Sequence, residues 1–182
     1  MKKRKILLTI FPLISGILIY IFFRSKYLFY FRLLKHFSLD KYFLQLRIYA
    51  QTFRHFFPTW VVYSFPDGVW IFSFGIALLV NRFYFKKILL FYTFIYLFMI
   101  FIEFFQLEFG GHGTFIGTFD KMDVICYTYG YILSAFISFI LWKYQMRNSL
   151  LKDSFFSTEM KKTLLISIFF IILGFFPSHF KV

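Results

Sequence analysis

Within residues 102–130, IEFFQLEFGGHGTFIGTFDKMDVICYTYG, the acids Glu103, Glu108, Asp120 and Asp123 and the amide Gln106 interrupt a run of aromatic and aliphatic side chains. Glu103 and Gln106 are three residues apart, as are Asp120 and Asp123, so each pair shares one face of a helix. Carboxyls a few ångströms apart cannot both ionise cheaply. One then holds a proton that the other can take, which is the equipment of a general acid and a general base. Glu103, Asp123 and Asp120 are the candidates for that chemistry. The same groups, with Asp67 and Tyr127, could instead form a negatively charged cradle for a ligand, and Asp67, Glu103, Gln106, Asp120, Asp123 and Tyr127 are the candidate binding set.

Each acid also has a plain structural reading. Asp120, after Thr118, suits a helix N-cap, where the positive end of the helix dipole favours a carboxylate. Asp67 after Pro66 suits the same position. Glu103 fits that reading worst, because it falls in the last turn of an apolar helix and has no basic residue three or four positions away. The glycines of GGHG, residues 110–113, permit tight turns, but they lack the spacing of a phosphate loop. His112 beside the carboxylates raises the question of a metal, although a loop histidine is more often simply exposed. No metal and no cofactor is expected, and no GxSxG, HExxH or nucleophile–histidine pairing occurs.

The surrounding chain says where these acids must lie. Of 182 residues, 60% are hydrophobic, 27% aromatic and only 16% charged, against about 25% charged in an ordinary soluble domain. Mean hydropathy is +0.70. So much apolar surface calls for lipid as solvent. The expected fold is an all-α integral membrane bundle forming one domain over residues 1–182. Five transmembrane helices are expected at about 6–23, 67–82, 88–105, 122–142 and 164–178, the last only if it continues past Pro177. Pro66-Asp67-Gly68 breaks the second apolar run, so a short helix should start near Asp67. The segment 24–58, mixing basic residues with Tyr, Phe and Leu, reads as amphipathic helices lying in the headgroup layer. The single cysteine, Cys126, excludes an internal disulfide.

The net charge of +13 does not point to nucleic acid, because the basic residues flank apolar runs. Their distribution orients the chain. Residues 2–5, Arg82, Lys86, Lys87 and the basic residues of 143–162 fall on one side, while the 107–121 loop carries Lys121 alone. The N-terminus is therefore expected in the cytoplasm of a multi-pass protein of the bacterial cytoplasmic (inner) membrane. Asp67, Glu103 with Gln106, and Asp120 with Asp123 then meet at the outer end. Asp123, Tyr127, Gly130, Ser134 and Ser138 form a polar, small-residue stripe that should face the bundle and admit a close neighbour.

Glu103-Phe-Phe-Gln106, then Gly117-Thr-Phe-Asp120-Lys-Met-Asp123, then Gly130 seven residues beyond Asp123, resembles the VanZ-like family of small bacterial membrane proteins. Asp67 occupies the place of an aspartate typical of the preceding helix. The resemblance covers about residues 60–142. Glycine and threonine stand where the family usually has an arginine, for which Lys121 or Arg54 could substitute, and Tyr127 stands where it often has an asparagine. The resemblance implies an integral cell-envelope protein, in a family whose founding member is associated with resistance to a teicoplanin-type glycopeptide antibiotic.

Three functions fit these residues. The outer cleft could bind a lipid headgroup or an amphipathic, lipid-linked small molecule, with membrane lipid as the principal partner. It could instead house a membrane-embedded acid/base enzyme acting on a lipid or lipid-linked substrate. Proton or cation transport along the Asp123–Ser138 stripe fits least, because the stripe carries no charge in its lower half.

Overall fold

The computed structural model describes residues 2–24, 29–111, 117–148, 150–151 and 155–179, and their side chains except at 2–4, 29–32 and 175–179. The described chain is helical throughout, without strands. In chain order the helices are α1 (Lys2–Phe23), α2 (Phe29–His36), α3 (Asp40–Thr52), α4 (Thr59–Tyr63), α5 (Phe65–Leu79), α6 (Phe85–Phe109), α7 (Lys121–Arg147) and α8 (Phe156–His179), with a 3-10 turn at Arg54–Phe56.

Three helices, α1, α6 and α7, are long and apolar enough to cross a membrane. Their flanks are covered in exposed Leu, Ile and Phe, among them Leu7, Phe11, Phe94, Phe101 and Phe136. Lipid accommodates such surfaces and water does not. This is a membrane protein.

At the centre stands α5, only 15 residues long and about 22 Å from end to end. Two thirds of it is buried, including Ile71, Ser73, Phe74 and Ile76 to Leu79. It packs most extensively on α7 and α1, and also touches α4, α6 and α8. Its start differs from the sequence expectation. The helix begins at Phe65, directly after α4 and the single residue Ser64, because Pro66 fits the first helical turn without needing its missing N–H. It ends at Leu79 rather than Arg82. Val80 is extended and Asn81 is left-handed (φ 62°), a conformation that asparagine tolerates.

Small residues set the α5–α7 crossing. A Cβ on Gly130 of α7 would collide with the Gly68 carbonyl of α5, and one on Gly68 would come within 2.8 Å of the Cys126 carbonyl. Further along both helices, Gly75 leaves room for Ser134. With the backbones this close, Tyr92 of α6 reaches between them. Its hydroxyl donates to Ile71 O at 2.8 Å and lies 2.8 Å from Ser134 Oγ. Helices α6 and α7 are further tied by Thr93 to Tyr131 (2.7 Å) and Tyr96 to Thr128 (3.0 Å). Trp70 of α5 donates to Phe170 O of α8 at 3.0 Å, which fixes the eighth helix to the same core.

All four long helices outlast their sequence bounds, α1 starting at Lys2 and α7 ending at Arg147. α6 runs from Phe85 to Phe109, and α8 begins at Phe156, eight residues before the expected start, because Glu159 and Lys162 of its first turns are paired. In the segment between α1 and α4, Arg47 and Gln51 of α3 donate to Ile21 O and Phe22 O, each at 2.7 Å. These two carbonyls lie in the last turn of α1, so α3 is held against its tip.

Candidate functional site

One end of the bundle gathers the start of α5, the end of α6 and the start of α7. The tight Gly68–Gly130 crossing is what draws α5 and α7 together there, so that Asp67 and Asp123 come within electrostatic reach of one another. Glu103 completes the group from α6. It is buried, 5% exposed, while the neighbouring positions Phe101, Phe104 and Phe105 face outward. The Glu103 carboxyl feels the charges of Asp123, Asp67 and Asp120, and the main-chain N–H of Asp120 points to it.

That last contact accounts for a carboxylate at an awkward position. α6 continues to Phe109, so Glu103 lies more than a turn inside the helix rather than in its last turn as the sequence suggested, and across the gap it meets the N-terminus of α7, whose dipole favours a negative charge. The compensation is partial. Oε2 of Glu103 and Oδ1 of Asp123 are both buried without a hydrogen-bond partner. Ser64 lies beside Asp123, yet the two make no well-formed hydrogen bond.

Among the described residues Arg24, at the end of α1, is the cation that acts on these acids. Its charge acts on Asp67 and Asp123, and its guanidinium donates to Val62 O (3.4 Å) and Tyr63 O of α4. It also lies over the rings of Tyr20 and Tyr63, at 4.2 and 5.3 Å from their centroids. Neither of the sequence candidates for this role fills it. Arg54 donates to Phe57 O at 2.6 Å, and Lys121 is exposed. No local signal could have found Arg24, which lies 43 positions before Asp67 and reaches it only because α1 packs along α5. Tyr20 was also unforeseen. Its hydroxyl donates to Asp67 Oδ1 at 3.4 Å.

The remaining candidates divide. Tyr127 is buried, with Asp67, Glu103 and Asp123 around it. Asp120 is the N-cap of α7, its Oδ1 accepting from Met122 N at 2.9 Å, and so holds a structural place at the rim. Gln106 is half-buried against Gly117, which has φ +95°. There the loop that joins α6 to α7 closes, through Gly110 N to Gln106 O (2.8 Å) and Gly111 N to Gly117 O (2.9 Å). Glu108 is exposed, and His112 lies outside the described residues. No group of three or more His, Cys, Asp or Glu side chains among the described residues is placed to hold a metal ion.

Among the described residues this end of the bundle thus gathers Asp67, Glu103 and Asp123 around the Arg24 guanidinium, with the hydroxyls of Tyr20, Ser64 and Tyr127 beside them. A cationic group entering it would meet two unpartnered carboxyl oxygens. No protein-family model, no curated protein and no solved structure matches the chain.

Proposed function

We propose that this is a VanZ-like integral membrane protein of the bacterial cell envelope whose carboxylate pocket binds the cationic end of a lipid headgroup or amphipathic ligand. In this reading the N-terminus is cytoplasmic, α1, α4–α5, α6, α7 and α8 make five crossings, and the carboxylate end faces outward. Residues 29–56 lie in the headgroup layer. The observation that carries the proposal is the inward Glu103, whose free buried oxygen faces Asp67 and Asp123 from another helix. An ionisable side chain turned into a membrane bundle is costly without a functional return. The juxtaposition of Asp67, Glu103 and Asp123 supports the VanZ-like reading, since these are motif positions otherwise far apart in the sequence. A link to glycopeptide resistance follows from that resemblance alone.

A second reading, an acid/base enzyme on a lipid-linked substrate, draws support from the unequal partners of the acids. Asp120 is capped by a main-chain N–H, whereas Glu103 keeps an oxygen free, so one group can give a proton while another takes it. Glu103→Gln and Asp123→Asn test both readings in cells. Both variants should insert normally and lose the phenotype of the wild-type chain; full activity in both refutes a working pocket. Mass spectrometry of extracted lipids then separates the readings. An altered lipid or lipid-linked precursor in the presence of the wild type indicates catalysis, and an unaltered profile indicates binding.

A further inference from the structure

The opposite end of the bundle carries a second polar cluster, which the candidate pocket does not involve. Arg82, 3% exposed, follows the C-terminus of α5. It donates to Leu78 O at 2.9 Å and to Glu159 Oε2 of α8 at 3.3 Å. Lys162, more than half exposed, takes the other Glu159 oxygen at 3.1 Å. Lys5 of α1 donates to Val80 O at 3.0 Å and lies within electrostatic reach of Arg82, Glu159 and Lys162.

Among the described residues three cations therefore share one carboxylate. The negative end of the α5 dipole and the carbonyls of Leu78 and Val80 offset part of this excess, but they supply no full charge. Buried charge is ordinarily matched one for one. Arg82 has used two of its five N–H groups and Lys5 one of three. Donors and positive charge are both left over.

The shape of the surroundings says what kind of anion fits. α1 and α8 each pack on α5, and barely on one another. From this cluster both run in the same direction, as Gly16 of α1 meets Pro66 and Val69 near the start of α5 while Phe170 and Gly174 of α8 meet Trp70. The cations stand where the two helices begin their run along α5, and both helices carry exposed apolar residues such as Leu7 and Leu164. A phosphate with hydrocarbon chains matches both parts. We propose that Lys5, Arg82 and Lys162 bind the phosphate of an anionic phospholipid whose acyl chains lie between α1 and α8. Basic pockets between transmembrane helices take such headgroups in general.

The test uses the full chain, delipidated in neutral detergent and titrated with nanodiscs of phosphatidylglycerol or phosphatidylcholine, and separately with inorganic phosphate. The wild type should prefer phosphatidylglycerol over phosphatidylcholine by at least about tenfold. Each of Lys5→Gln and Lys162→Gln should weaken that preference about fivefold, with helix content unchanged by circular dichroism. Lys86→Gln with Lys161→Gln removes the same charge from exposed positions at the same end and should leave it nearly intact. A loss in the Lys86→Gln/Lys161→Gln variant equal to that in the Lys5→Gln/Lys162→Gln double variant would overturn the site in favour of diffuse surface charge. Inorganic phosphate displacing phosphatidylglycerol at equal concentration would overturn the lipid as occupant.

Discussion

Glu103, near the end of α6, presents its carboxyl to the main-chain N–H of Asp120 at the N-cap of α7. A buried carboxyl of one helix is thus met by the favourable end of another. Its second oxygen is left facing a pocket shared with Asp67 and Asp123. The geometry of that pocket depends on how closely α5 and α7 approach, and this gives the first prediction.

Gly130→Ala places a Cβ against the Gly68 carbonyl, and backbone on both sides leaves no flexible atom to give way. Overpacking of this kind costs about 1–3 kcal/mol. Gly16→Ala serves as the contrast, because its Cβ would sit in ordinary contact, 3.5 Å from the nearest atom of Val69. Thermal unfolding in detergent should show a clear loss of Tm for Gly130→Ala and little change for Gly16→Ala.

Arg24 competes with any incoming cation for the same carboxyls while tying α1 to α4. Arg24→Gln should therefore lower Tm and at the same time tighten binding of a cationic amphiphile several-fold. Arg24→Lys should fall between, since it keeps the charge without the planar fork. Calorimetric titration beside a melting curve checks both directions.

At the other end, Glu159→Gln leaves the buried Arg82 guanidinium without its carboxylate. Breaking a buried pair from one side costs about 3–5 kcal/mol, whereas replacing both partners by apolar residues is often near neutral. Unfolding of Glu159→Gln, Arg82→Met and the double variant Arg82→Met/Glu159→Leu should show the double variant more stable than either single one.

Much of this arrangement was legible in the sequence, and the reasons for what was not are physical. The i, i+4, i+8 spacing of Gly130, Ser134 and Ser138 identified the buried face of α7, because helical periodicity is local. Asp120 was readable as a cap for the same reason. The onset of α5 was placed two residues late, because Pro66 is compatible with either the first turn or the residue before it. The early start of α8 was hidden by Glu159 and Lys162, which look like loop charges until Arg82 appears beside them. Arg24 and the Lys5–Arg82–Glu159 group join positions remote in the chain, and only packing around α5 assembles them.

Orientation has its own test. In a Cys126→Ser background, single cysteines at positions 40, 112 and 155 should label with a membrane-impermeant reagent from one side at 40 and 112. Position 155 should label from the other. Residue 155 on the same side as 112 would rule out a crossing by α7.

The carboxylate pocket itself is tested most directly by titrating the detergent-solubilised chain with dodecylammonium in a calorimeter. Saturable one-to-one binding is expected for the wild type. Glu103→Gln and Asp67→Asn should each weaken it at least about tenfold, equivalent to about 1.4 kcal/mol. Unsaturable partitioning, or equal affinity in the wild type and both variants, would contradict a ligand site built from these acids.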